Sequence, residues 1–392
     1  MKVLVIGNGF DLAHGLATRY VDFLSFVKQF NQVYDINEQD GDFFLRSGEF
    51  LDFLIKLFRT NDRETTEIIR EFRETTDENI WIRHLNGILE ANEKIGENWI
   101  DFEKEIMIVI EWMEGNLSNE DSLDGLEAAY ENISNNIKDK ISRYFKPDFE
   151  REILDYKVKG NRDAKSLEHR LIKKYLKHLD DLIRAFEMYL TFYIYPSIKG
   201  KLDDDILSLD LKGHDQIISF NYTDTYNRIY KNNIVLPENI HFIHGKARED
   251  NQRENNMIIG IDETLKTPEE VSEKLEYVEF KKYFQRIVKE TDTSYTRLFK
   301  TGETIGQEVQ RNETEAIDVY IFGHSLDKTD TDIIKMIFNA ANTRIVVYSH
   351  DKETQKKQVS NLITIIGKDE LLKSTYNSEP KVKFKLQKNS KN

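Results

Sequence analysis

Apolar residues along this chain fall into two rhythms. Short β-branched runs, most of them continuously apolar, occur at 3–6, 216–220, 240–243, 257–261, 317–322, 343–348 and 362–366. Runs of that length and character predict parallel strands covered on both faces, where every side chain is buried. At 382–386 the sequence VKFKL alternates instead, which predicts an edge strand with one wet face. From residue 7 to residue 215 no strand pattern recurs, and the rhythm becomes helical. Phe50, Leu51, Leu54, Leu57 and Phe58 fall on one helix face, as do Phe102, Ile106, Val109, Ile110 and Met113. Leu182, Phe186, Tyr189, Leu190 and Tyr193 form a third stripe before Pro196 ends the run. Such stripes predict core packing.

Together these patterns predict an α/β protein with a Rossmann-like parallel sheet and a large helical insertion. Residues 1–29 would supply the first strand and helix, 30–204 the insertion, and 205–392 the rest of the sheet. Residues 262–315 are charged and turn-rich, with helical character near 276–289, and read as a second, lid-like excursion. Connections inside compact domains are usually short. An insertion of this size is therefore expected to gate a pocket, recognise a trigger or make an oligomer contact.

The ends of the predicted strands carry the candidate chemistry. After the first strand comes GNGFDLAHGL at 7–16, with Gly7, Asn8, Gly9, Phe10, Asp11 and Gly15. Glycines there let the backbone approach a ligand, and a helix start favours phosphate oxygens. The plain alternative is a tight turn with Asp11 capping the helix; Leu12 stands where a dinucleotide fingerprint would have its third glycine. SFNYTDT at 219–225 ends the second strand. Asn221 there could hold a hydroxyl or a water, or Asn221, Thr223 or Asp224 could cap the next helix. IHG at 243–245 offers His244 as a general base, or a histidine bonded within a turn. FGHSLD at 322–327 offers Gly323, His324, Ser325 and Asp327 for a phosphate or ribose, with Ser325 or Asp327 as a cap in the alternative. WIDFE at 99–103 opens a helix of the insertion. Trp99 could stack on a flat ring with Glu103 one turn on, both walling the same pocket. Otherwise Trp99 is a core anchor and Glu103 a solvated residue. His84, His169 and His178 lie in charged helical stretches and read as surface, and His241, alternating within a strand, as structural.

Composition narrows the classes. The chain has no cysteine, which excludes disulfides and thiolate metal sites and suits a reducing, cytoplasmic compartment. A net charge of −14 disfavours a broad electrostatic grip on nucleic acid. No apolar run approaches a membrane span, and the start MKVLVIG reads as a strand entering a turn, with no cleavage site. No metal is expected.

In this order the motifs resemble the AbiH family of bacterial phage abortive-infection proteins. The resemblance rests on GNGFDLAHGLATRYVDF at 7–23, WIDFE at 99–103, SFNYTDT at 219–225, IHG at 243–245 and FGHSLDKTD at 322–330. That family in turn is similar to the sirtuin-like NAD-binding superfamily. The resemblance implies an antiphage effector that hydrolyses NAD, or a related nucleotide, at the N-glycosidic bond. Carried over, Gly7 and Gly9 would line the phosphate turn, Asn221 and His244 would be the catalytic pair, and Gly323 and Ser325 would meet the adenosine side. Asp11 would stabilise charge as nicotinamide leaves. The sirtuin GAG turn is GNG here, and a zinc module of four cysteines is impossible, so lysine deacetylation is not expected. The expected partners are the nucleotide, a phage-derived trigger and further copies of the chain. The rival expectations are a non-catalytic nucleotide-binding sensor of phage components and a nuclease-type toxin.

Overall fold

The computed structural model describes residues 1–38, 50–60, 62–93, 100–116, 146–158, 163–200, 202–230, 235–249, 255–261, 275–299 and 316–388. One sheet contains β1 (Lys2–Ile6), β2 (Gln216–Ser219), β3 (Ile240–Phe242), β4 (Ile317–Phe322), β5 (Thr343–Ser349) and β6 (Val382–Leu386). The strand order is β3-β2-β1-β4-β5-β6 and each pairing is parallel. This is the Rossmann-like α/β architecture. Its strand order reverses between β1 and β4, so the chain leaves their carboxyl ends in opposite directions and opens a crevice for ligands there.

Burial on both faces explains the continuous apolar runs. Val3 and Val5 of β1 pack with Ile218, Val319, Ile321 and Ile345 on one side. Leu4 and Ile6 pack with Phe10, Ile217, Phe322 and Tyr348 on the other. In β6, Val382 is buried while Lys383 and Lys385 are exposed. It is an edge strand, and lysines on an edge discourage pairing with a further strand.

Backbone contacts divide the chain into two units. The sheet unit holds Met1–Thr18, Leu190–Met257 and Lys289–Asn392, and the helical unit holds Arg19–Tyr189 and Ile258–Val288. The boundaries therefore fall at 18/19 and 189/190, where the sequence suggested 29/30 and 204/205. Of the lid-like excursion, 275–288 belongs to the helical unit; 262–274 and 300–315 lie outside the described residues.

The helical unit contains Tyr20–Glu38, Leu51–Arg59, Arg63–Thr76, Ile80–Glu93, Phe102–Asn116, Lys146–Val158 and Ala164–Met188. Asp62 and Asp163 cap two of these helices by accepting from the amides of Thr65 and Ser166. Its core is aromatic: Phe23, Phe26, Phe30, Phe50 and Phe72 are buried, with ring contacts linking Phe26 to Phe50 and Phe72. The stripe Phe102, Ile106, Val109, Ile110 and Met113 is fully buried, as its spacing predicts. Beyond Met188 the helix widens into a π-helical segment, Tyr189–Ile194. That change of period leaves Tyr193 only half-buried. Among the described residues, no helix is long and apolar enough to cross a membrane.

Three expectations are corrected. The run 257–261 is not a sheet strand: its apolar side chains are buried, but its ladder contact is an isolated bridge from Ile261 to Lys281. The run 362–366 is the last turn of the Lys352–Ile366 helix, which starts at a side-chain cap from Asp351. There Gln358, Leu362 and Ile365 are buried at helical spacing while Ile363 and Thr364 are exposed, so the run is helical in period despite its β-branched composition. His84 is buried rather than superficial, because the stripe Trp81, Leu85 and Ile88 passes through its position. Burial pushes its pKa down to about 4, so the imidazole is neutral near pH 7.

Candidate functional site

Two strand-end turns meet at the β1/β4 crevice. The Gly7 amide donates to the Phe322 carbonyl (3.1 Å), the Gly9 amide to the Gly323 carbonyl (2.8 Å) and the Phe10 amide to the Gly7 carbonyl (2.8 Å). A Cβ on Gly7 would stand 2.8 Å from the His324 Cα, and one on Gly9 2.8 Å from the Gly323 Cα. Glycine is thus required because one turn packs on the other. The amides of Gly7 and Gly9 are engaged within the protein. The Phe10 ring is wholly buried against Phe322 and Tyr230 and anchors the turn. Asn8 is exposed and accepts from Thr18 (2.6 Å). Gly15 is exposed in a left-handed conformation beyond the Asn8–Ala13 helix.

Asp11 does not cap that helix. Its carboxylate is buried and accepts from the Thr223 hydroxyl (2.6 Å), which itself accepts from the Thr225 hydroxyl (3.0 Å). The loop after β2 therefore delivers its threonines to the carboxylate, and the helix at Thr225–Ile229 starts without a side-chain cap. Burial raises the Asp11 pKa to about 6; the Thr223 and Thr225 hydroxyls and Asn221 oppose that rise. Asn221 is also buried and lies close enough to the Asp11 carboxyl to favour its charged form, although the pair falls short of full hydrogen-bond geometry. Among the described residues, Asp11 Oδ1 and Asn221 Nδ2 have no hydrogen-bond partner. A buried acceptor and a buried donor, neither fully satisfied, thus sit together at the strand ends.

The next loop is tied to this one, since the Ala247 amide donates to the Tyr222 carbonyl (2.8 Å). It carries His244, buried, with Nε2 3.0 Å from Asp330 Oδ1. His324, on the turn after β4, points Nε2 at the other carboxylate oxygen of Asp330 from 3.6 Å. The Phe220 ring lies against both imidazoles, with centroids 5.6 Å from His244 and 4.2 Å from His324. Ser325 is exposed, and Asp327 caps the short helix Lys328–Asp330 through the Thr329 amide. His14 bonds the Phe10 carbonyl and the Tyr230 hydroxyl, and its pKa is lowered by burial. Among the described residues, no group of three or more His, Asp or Glu could hold a metal ion.

The family model described as Bacteriophage abortive infection AbiH matches residues 3–350. The chain belongs to the AbiH family. No curated protein and no solved structure matches it. The five motifs that suggested the family all lie inside the matched span. Membership assigns this AbiH protein to bacteriophage abortive infection.

The structure brings Gly7, Gly9, Asp11, Asn221, His244, Gly323 and His324 to one edge of the AbiH sheet. It adds Asp330, which the sequence did not single out, and gives Thr223, a candidate cap in the sequence, the role of donor to Asp11. Asp330 precedes the Thr331–Asn339 helix and looks like one more cap, yet its side chain makes no cap bond there. Its spacing of eight residues from the end of β4 carried the only sequence signal.

In the helical unit, Trp99 lies outside the described residues. Glu103 is not solvated: it is largely buried and 2.7 Å from Lys282, which is fully buried. Glu103→Gln is therefore expected to destabilise the helical unit by about 3 kcal/mol, as loss of one partner of a buried ion pair does. Glu103→Gln with Lys282→Met should recover most of that. All three tryptophans (Trp81, Trp99 and Trp112) fall in the Arg19–Tyr189 span. Their fluorescence in a urea titration reports the change, and a loss below about 0.5 kcal/mol would mean that the pair does not form in solution.

Proposed function

We propose that this AbiH protein is an abortive-infection effector that hydrolyses NAD, or a related nucleotide, at the N-glycosidic bond once infection triggers it. The observation that carries this reading is the buried, unsatisfied Asp11 Oδ1 beside the buried, unsatisfied Asn221 Nδ2. An acceptor next to a donor suits a ribose hydroxyl. A carboxylate at that position suits the positive charge that builds on a ribosyl ring as its base departs. The fit is to the ribose, since the amides of Gly7 and Gly9 are engaged elsewhere.

The roles follow from these positions. Asn221 holds a ribose hydroxyl through its amide. Asp11, ionised above pH 6, stabilises the oxocarbenium-like carbon. His244 accepts a proton from the attacking water. The water oxygen bonds to the anomeric carbon, the C–N bond breaks, and its electron pair leaves on the nicotinamide nitrogen. The products are ADP-ribose, nicotinamide and the proton taken up by His244.

The test is to incubate the purified protein with NAD, with and without phage lysate, and measure nicotinamide and ADP-ribose. Release in the triggered sample is the expected result. Asn221→Ala and His244→Ala should each lose roughly 100-fold or more in rate, and either variant keeping full turnover and full protection leaves the site. No release under any triggering condition, with tight nucleotide binding, would replace the hydrolase by a nucleotide-binding sensor. Size measurements on the same samples check the expected self-association.

A further inference from the structure

We propose that Asp330 is the positioning residue of this site: held between two imidazoles, it fixes the His244 proton on Nε2 and makes Nδ1 the atom that accepts the proton during reaction. The proposal rests on the reading that His244 works on a bound substrate, but not on that substrate being NAD.

An ionised carboxylate only accepts hydrogen bonds. The 3.0 Å contact between Asp330 Oδ1 and His244 Nε2 therefore requires the hydrogen on Nε2. In the neutral ring Nδ1 is then the basic nitrogen. The same argument fixes His324 from the opposite direction. Its Nδ1 accepts the Leu326 amide at 2.9 Å, so its hydrogen also lies on Nε2, which faces Asp330 Oδ2. Two N–H groups thus converge on one buried carboxylate.

The surroundings hold that arrangement. Gln358 donates to the His324 carbonyl (2.9 Å) and accepts from the Ser349 hydroxyl (2.6 Å), so the Lys352–Ile366 helix braces the His324 turn. Phe220 packs against both rings. When Nδ1 takes a proton, the imidazolium formed already has an anion on its far nitrogen. That is how a carboxylate orients and stabilises a catalytic histidine in other hydrolytic sites.

The test uses the full chain with 15N-labelled histidine. Two-bond 1H–15N spectra of the wild type, assigned with His244→Gln and His324→Gln, should show both rings protonated on Nε2. Asp330→Asn should shift His244 towards a mixture of tautomers and lower kcat roughly 100-fold or more, with KM within about twofold. A merely structural Asp330 would lower stability and leave the His244 tautomer unchanged, which overturns the proposal. So does His244 carrying its hydrogen on Nδ1 in the wild type, a reading that does not depend on Asp330→Asn folding. If no NAD cleavage is found, phage protection replaces turnover as the functional measurement. Nε2–H tautomers together with lost protection in Asp330→Asn then support the proposal while removing NAD as substrate; retained protection overturns it.

Discussion

Asp11→Asn is expected to cut turnover about 1,000-fold and, at the same time, to stabilise the sheet unit. The stabilisation follows from the raised pKa. In the folded protein the Asp11 carboxyl titrates at about 6 against an ordinary value of 3.8. The folded state therefore binds the proton more tightly than the unfolded state, and stability falls as pH rises from about 4 to about 6. Above pH 6 the ionised, buried carboxylate costs about 3 kcal/mol, at 1.36 kcal/mol per pKa unit. Asparagine keeps an oxygen for the Thr223 hydroxyl and carries no charge. Its new N–H groups need acceptors, which returns about 1 kcal/mol. A net gain of about 2 kcal/mol is expected at pH 8, and no gain at pH 4. Hydrogen exchange of the β1 and β4 amides is the suitable measurement, because tryptophan fluorescence reports the other unit. The loss of rate should reach about 1,000-fold, the upper range for removing a positioned electrostatic stabiliser. A variant that is inactive and no more stable than wild type at pH 8 would show that Asp11 is solvated, whereas a stabilised and active one would remove it from the chemistry.

That trade-off bears on how this site was legible in the sequence. The strands were readable because parallel strands covered on both faces bury every residue, as Val3, Leu4, Val5 and Ile6 do. The same hydrophobicity misled at 257–261 and 362–366, where burial was real but the backbone found another partner. Single runs report burial better than they report hydrogen bonding. At the site, Asn221, His244 and His324 were marked by their place at strand ends. Asp330 and Thr223 were not, because each resembles an ordinary cap. Their caps are absent in the fold because their side chains meet residues hundreds of positions away, or 86 in the case of His244 and Asp330. No local pattern encodes such a pairing. The glycines were marked by the need for a close backbone approach, and Gly323 and its neighbours make one.

That packing of one turn on the other predicts that Gly323→Ala will strongly damage the sheet unit. Gly323 sits at φ +69°, and a Cβ there would stand 2.2 Å from the Phe10 nitrogen and 2.5 Å from the Gly9 carbonyl carbon. Both obstacles are backbone of the facing turn, which is itself tied down by the Gly9 amide on the Gly323 carbonyl. The left-handed conformation costs a non-glycine residue about 1–2 kcal/mol, and the forced separation of the turns a further 1–3 kcal/mol. A loss of about 3–4 kcal/mol is expected. The separation would also move His324, the next residue, and with it one of the two imidazoles on Asp330. Gly15 provides the control. It too is left-handed, at φ +77°, but a Cβ there meets nothing within 4 Å. Gly15→Ala should therefore lose only the conformational part, about 1 kcal/mol, and keep phage protection. Exchange protection of β1 and β4, measured for both variants beside wild type, separates the packing contribution from the backbone one. Equal losses at the two positions would mean that the turns do not pack in solution as described.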